Sequence, residues 1–205
     1  MLKKSVTVKT AGWLKMSLLA LTATFVGITT INAQKNNKTQ FVHLKNDLYS
    51  FEVMKGFEFL LPADEINKRG ERDGFKTNYN GIGQSRKKEY SKEFESIGIR
   101  FYTPINKETN LEAKIQESID KITNNKVNKD VKIQTMQLGN KKVVYVNYIG
   151  LSREYNGTEH EYFGNEFFFH DGTNIFRIDV PFIKDLSKYM DDIKYMISSF
   201  SANKK

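Results

Sequence analysis

Hydrophobic and polar residues alternate with period two over much of the chain, and two stretches switch to a period near 3.6. "LYSFEVMKGFEFLLP" (48–62) alternates around Met54-Lys55-Gly56 and predicts a first hairpin or two short strands. "ADEINKRGE" (63–71) reads as a brief helix, and the glycine-rich, then charged residues 70–93 as a long surface loop. "FESIGIRFYTP" (94–104) places Ile97, Ile99 and Phe101 on one side of a strand that Pro104 stops. In "TNLEAKIQESIDKIT" (109–123), Leu111, Ile115, Ile119 and Ile122 form one helical stripe, and Thr109 with Glu112 matches a capping box. Two strands follow around Gly139-Asn140. The second, Val143 to Leu151, is apolar on both faces, as in a central strand covered on both sides.

"EHEYFGNEFFFHDGTNIFRIDV" (159–180) is the stretch with the most candidate chemistry, because it holds His160, His170, several carboxylates and a run of phenylalanines. A two-residue turn at Asp171-Gly172 gives a hairpin that pairs Phe168 with Ile175, Phe167 with Phe176 and Glu166 with Arg177. Phe163, Phe167, Phe169, Phe176, Ile178 and Val180 then share one face, so most of the stretch is explained by packing. "DLSKYMDDIKYMISSF" (185–200) closes the chain as a helix with Asp185 as N-cap and a core stripe running from Leu186 to Phe200. The reading is one α+β domain, an antiparallel β-sheet with helices packed on its two faces, over residues 47–201.

The first 33 residues differ in kind. Lys3, Lys4, Lys9 and Lys15 precede the apolar run "MSLLALTATFVGITTI", and "NAQ" follows. This is the pattern of a secretory signal peptide cut after Ala33, with 34–46 as a flexible leader and no membrane span left after cleavage; the alternative is an uncleaved membrane anchor, for which the threonine-diluted apolar run falls short of the roughly 20 residues a span prefers. Removing it lowers the balance from 32 bases against 24 acids to 28 against 24, or +4, which argues against a nucleic-acid partner. The chain has no cysteine, which excludes disulfides and thiolate chemistry and suits a bacterial periplasm or exterior.

The opening "FEVMKGFEFLLP" (51–62), the strand "IFRIDVP" (175–181) and the helix end "IKYMISSF" (193–200) resemble PsbP-like domains and their bacterial DcrB-type relatives. The resemblance implies an α-β-α sandwich, and an exported protein that binds or stabilises partners without catalysis. It carries over no binding residue.

No reaction is demanded by the remaining polar residues. His160, between Glu159 and Glu161, is the best metal or acid/base candidate, with His170 and Asp171 ten and eleven positions on. Ten residues of extended strand span roughly 33 Å, while zinc needs its ligands within ~2.3 Å, so further ligands such as His43 would have to converge. Asp191 and Asp192 are adjacent on a helix and diverge. "GIGQS" (81–85) lacks the phosphate-loop lysine, and there is no nucleophile elbow. The expectation is therefore no catalytic, metal or cofactor residues. The candidate contact surface is "SRKKEYSKE" (85–93), with Arg86, Lys87 and Lys88, together with the 151–160 connection carrying Arg153 and Tyr155. Its partner would be an envelope protein or an anionic surface. The alternatives are a metal-dependent hydrolase centred on His160, or a periplasmic immunity or secretion-accessory protein.

Overall fold

The computed structural model of the protein describes residues 30–31, 39–60, 67–84, 96–153, 157–181 and 183–203. Among the described residues, two sheets and two α-helices make up the fold. Strands β1 (Thr30–Ile31), β2 (Phe41–Lys45), β3 (Tyr49–Met54), β4 (Phe57–Phe59), β5 (Asn67–Arg72), β6 (Phe75–Gln84) and β7 (Ser96–Pro104) precede helix α1 (Leu111–Thr123). Strands β8 (Lys129–Leu138), β9 (Lys141–Arg153), β10 (Glu159–His170) and β11 (Ile175–Asp179) follow. A 3-10 turn at Leu186–Tyr189, helix α2 (Met190–Ser199) and β12 (Ser201–Ala202) complete the order.

The larger sheet has nine strands in the order β1-β8-β9-β10-β11-β7-β6-β4, with β5 also on β6; the smaller is β12-β3-β2. Every pairing is antiparallel except that of β1, which lies parallel to Gln137–Leu138 at the β8 edge. As its two apolar faces require, β9 is central, between β8 and β10. No helix among the described residues is long and apolar enough to cross a membrane.

The expected sandwich of helices packed on both faces of a sheet is not what forms. Strands dominate, and the two α-helices have only 13 and 10 residues. One face of the nine-stranded sheet is closed largely by the three-stranded sheet, with α2 lying along β3. Tyr49, Phe51 and Val53 of β3 join Phe167, Phe169, Phe176, Ile178 and, from α2, Ile193, Met196 and Ile197 in a single buried cluster. Phe51 stacks on Phe200 with ring centroids 4.3 Å apart. On the other face, α1 lays Ile115, Ile119 and Ile122 over Val146, Tyr148, Phe168 and Ile175 and covers only part of the sheet. At β9 both covers are helical, α1 over Val146 and Tyr148 on one side and the α2 segment beside Lys141 and Tyr145 on the other, whereas over β7 and β11 the cover is Tyr49 and its neighbours in the three-stranded sheet.

Local departures from expectation have local causes. Of the two readings of 48–62, the two short strands form and the hairpin does not: the turn at Lys55-Gly56 passes the chain from β3 in the small sheet to β4 in the large one. Where a helix and a long loop were expected, β5 and β6 pair around an Asp73-Gly74 turn with both residues at positive φ. The N-cap of α1 is Asn110, whose side chain accepts from Ala113 N at 3.0 Å; the expected capping box at Thr109 does not form. The β10–β11 loop has four residues, not two. Asp171 Oδ1 accepts from the backbone N–H of Thr173 and of Asn174, at 2.9 and 2.7 Å, and this moves the register by two. Phe169 therefore opposes Phe176, and Glu166 opposes Asp179. A shift of two leaves every side chain on its expected face.

Candidate functional site

The part of the sheet that α1 leaves open carries a compact charged cluster. Along β10, Phe167 and Phe169 point into the main core, so Glu166 projects to the other face. Arg177 and Asp179 alternate in the same sense with Phe176 and Ile178 on β11, as does Arg100 with Ile99 and Phe101 on β7. In register, Glu166 faces Asp179 and Arg177 faces Arg100, so like charges stand directly opposite and unlike charges meet on the diagonals. Direct like-charge pairs are unfavourable, and the diagonals compensate them.

Arg177 Nε donates to Asp179 Oδ1 at 2.7 Å and lies 2.8 Å from Glu166 Oε2. Its single Nε–H points at Asp179, so Glu166 Oε2 is ion-paired without an aligned donor. Tyr148 donates its hydroxyl proton to Glu166 Oε1 at 2.7 Å. Arg100 Nε lies 3.4 Å from Asp179 Oδ2, and the Phe168 ring supports the Arg177 guanidinium at 5.6 Å. The floor beside the cluster lacks side chains. A Cβ at Gly164 would fall 2.3 Å from the Tyr148 ring, which lies across it, and one at Gly98 would touch Asp179 at 3.4 Å. The result is a cleft of about 320 Å³, lined by Arg100, Glu166, Arg177, Asp179, Tyr79 and Tyr162 among others.

Burial pushes the Glu166 carboxyl above the ordinary carboxylate range; Arg177 opposes this and the neighbouring Asp179 charge reinforces it. For Arg177, burial works against the charge, but Asp179 and Glu166 outweigh it and hold the guanidinium protonated. Burial beside Glu166 raises Tyr148. A carboxyl raised in the folded state binds more protons there than in the unfolded chain. Its stabilising contribution is complete below the unfolded value near 4.5 and declines as pH rises through the folded one. Glu166→Gln removes that decline. The difference in melting temperature, wild type minus variant, is expected to shrink steadily as a thermal melt series moves from pH 4 to pH 8; a flat difference would contradict the assignment.

The expected candidates are dispersed. His160 and His170 sit near opposite ends of β10, and His43 is on β2 in the other sheet, opposite Glu52. His170 Nδ1 accepts from Gly172 N at 3.1 Å, and its Nε2 is 3.9 Å from Glu112 of α1. Among the described residues no group of three or more His, Asp or Glu is placed to hold a metal. Arg153 ends β9, exposed, with Nε 3.6 Å from Glu159 Oε1. Arg86, Lys87, Lys88 and Tyr155 lie outside the described residues.

The sequence did single out Glu166 and Arg177 as an acid–base pair, and they do meet, on a diagonal. Arg100 and Asp179 were missed. The signal available was the Arg-Ile-Asp spacing at 177–179, which puts a base and an acid on the face of β11 away from the phenylalanines.

A further cleft of about 810 Å³ lies at the other end of the sheet, among Asp47, Lys141, His170, Asp171 and Phe200. Lys141 is committed there. It is 9% exposed, its Nζ donates to Ser198 O at 2.8 Å near the C-terminal end of α2, and burial lowers its pKa.

No family model matches the chain, and no curated protein matches it. Among solved structures it is similar to a crystal structure from Bacteroides thetaiotaomicron VPI-5482, with 12% sequence identity and a TM-score of 0.42. The match covers 77% of this chain and 46% of that one, so this chain spans less than half of the other protein's length.

Proposed function

We propose that the protein is a non-enzymatic binding or accessory protein of a bacterial envelope, exported by its basic and apolar N-terminal segment. It engages its partner at one end of the nine-stranded sheet. One geometric fact supports the reading. Gly83 pairs with Ser96 and Arg153 with Glu159, so the strand ends flanking 85–95 and those flanking 154–156 leave the sheet at the same end, beside the charged cleft. The strand ends at Gly83, Ser96, Arg153 and Glu159 thereby border one surface held by a rigid ladder, the usual setting for a binding site. Residues 85–93 supply Arg86, Lys87, Lys88 and Lys92, which suits an anionic partner.

Replacing Arg86, Lys87 and Lys88 together with alanine is expected to reduce partner capture from envelope extracts, with a steeper loss at low salt than at high salt. Circular dichroism of the variant should match the wild type. Undiminished capture by a folded triple variant would remove this surface from the proposal.

A further inference from the structure

Arg100 and Arg177 stand side by side in the cleft, 31% and 23% exposed at the side chain. The ion pairs that hold them run through Nε: Asp179 approaches the Nε of both, and Glu166 approaches that of Arg177. Among the described residues no hydrogen bond engages the terminal Nη groups of either guanidinium. The acceptors nearby are largely in use, since Glu166 Oε1 takes the Tyr148 proton and Asp179 Oδ1 that of Arg177. Glu166 Oε2 lies buried against Arg177. The unfilled hydrogen-bonding capacity of the two arginines is therefore donor capacity. A pair of planar N–H forks matches the oxygens of an oxoanion in a way that a lysine cannot.

We propose that this cleft is an oxoanion site, in which the Nη groups of Arg100 and Arg177 grip the phosphate or carboxylate group of a small ligand. Its volume, about 320 Å³, is at the lower end of small-molecule sites. The glycines at 98 and 164 let Asp179 and the Tyr148 ring lie close over the sheet as walls of the cleft, and the hydrogen bond from Arg177 Nε to Asp179 fixes that guanidinium so that little of its side-chain order has to be gained on binding. The site rests on the cleft's own donors and does not require the strand-end surface.

The test is a titration of the folded chain with inorganic phosphate and, separately, with succinate, at ionic strength held constant with sodium chloride and followed by amide chemical shifts. Saturable shifts at Gly98, Arg100, Gly164 and Arg177 are expected with at least one of the two anions. Phosphate alone would point to a phosphorylated ligand, and succinate alone to a carboxylate. Arg100→Gln should weaken binding about tenfold or more, and Arg100→Lys should recover only part of it, because the charge returns without the fork. The Arg86, Lys87, Lys88 triple variant should bind as the wild type does, which separates this site from the partner surface. Failure of both anions to saturate overturns the proposal. So does wild-type affinity in either folded Arg100 variant.

Discussion

Phe176→Ala is expected to destabilise the protein by about 3–5 kcal/mol, the range for removing a large buried aromatic side chain. Phe176 is 1% exposed, and its ring is the hub of the main cluster. It stacks on Phe169 at 4.9 Å, meets Phe101 edge-on at 5.0 Å, and touches the rings of Phe200 and Tyr49 at 5.5 and 6.1 Å. These partners come from β10, β7, β3 and the end of α2, so the cavity would open where both sheets and the helix meet. Their shared contacts also limit how far the surroundings can collapse into it. Phe176→Leu should cost much less, roughly 1.5 kcal/mol, since most of the volume is kept. Urea unfolding of both variants checks the ordering. Similar midpoints would show that the two-sheet core is less tightly joined than the ring geometry implies.

The second large effect belongs to Asn165, a residue that hydrophobic patterning passes over. It is 1% exposed and fully satisfied. Its Oδ1 accepts from Tyr145 Oη at 2.7 Å and Asn147 Nδ2 at 2.9 Å, and its Nδ2 donates to Val180 O at 3.1 Å and Ile183 O at 2.9 Å. It thus ties β9 to the chain that leaves β11 at the Pro181 corner. Asn165→Ala strands buried carbonyls and is expected to cost about 3 kcal/mol, at the upper end for a lost buried partner. Asn165→Asp keeps the acceptor but turns a charge towards two carbonyl oxygens. Its carboxyl should be raised in the folded state, so its stability should fall as pH rises from 4 to 8, a trend that Asn165→Ala lacks. Denaturant midpoints measured across that range decide between the two behaviours. A pH-independent loss in the aspartate variant would show that the carbonyl bonds are unimportant.

The elements that the sequence showed clearly are those whose pattern is set by one buried face. The 109–123 and 185–200 stripes became α1 and the 3-10 turn with α2, and the phenylalanines of 163–180 took the faces that alternation assigned. What escaped depended on information carried elsewhere. The hairpin register turned on whether Asp171 would cap a four-residue loop, which alternation cannot reveal because a shift of two preserves every face. The strand 75–84 was masked by its own composition: "FKTNYNGIGQ" is polar and contains two glycines, yet Asn80 is fully buried and Ile82 lies in the core. Asp73-Gly74 was the legible sign of that turn. The mistaken helical cover came from extending the surroundings of β9 to the whole sheet, when over β7 and β11 one face is closed by a second sheet. The charged cleft needed β11 to pair with β7, strands more than seventy residues apart with no local feature announcing their contact.

The proposal assigns two roles: the aromatic hairpin as scaffold, and the open end of the large sheet as the working surface. The most direct measurement places a photo-crosslinking phenylalanine analogue at position 162, on the cleft rim, and at position 43, on the exposed face of the small sheet, in the full chain inside intact cells. The expected result is a discrete covalent partner from position 162 and none from position 43. Crosslinks from position 43 with silence at position 162 would place the working surface on the opposite side of the molecule.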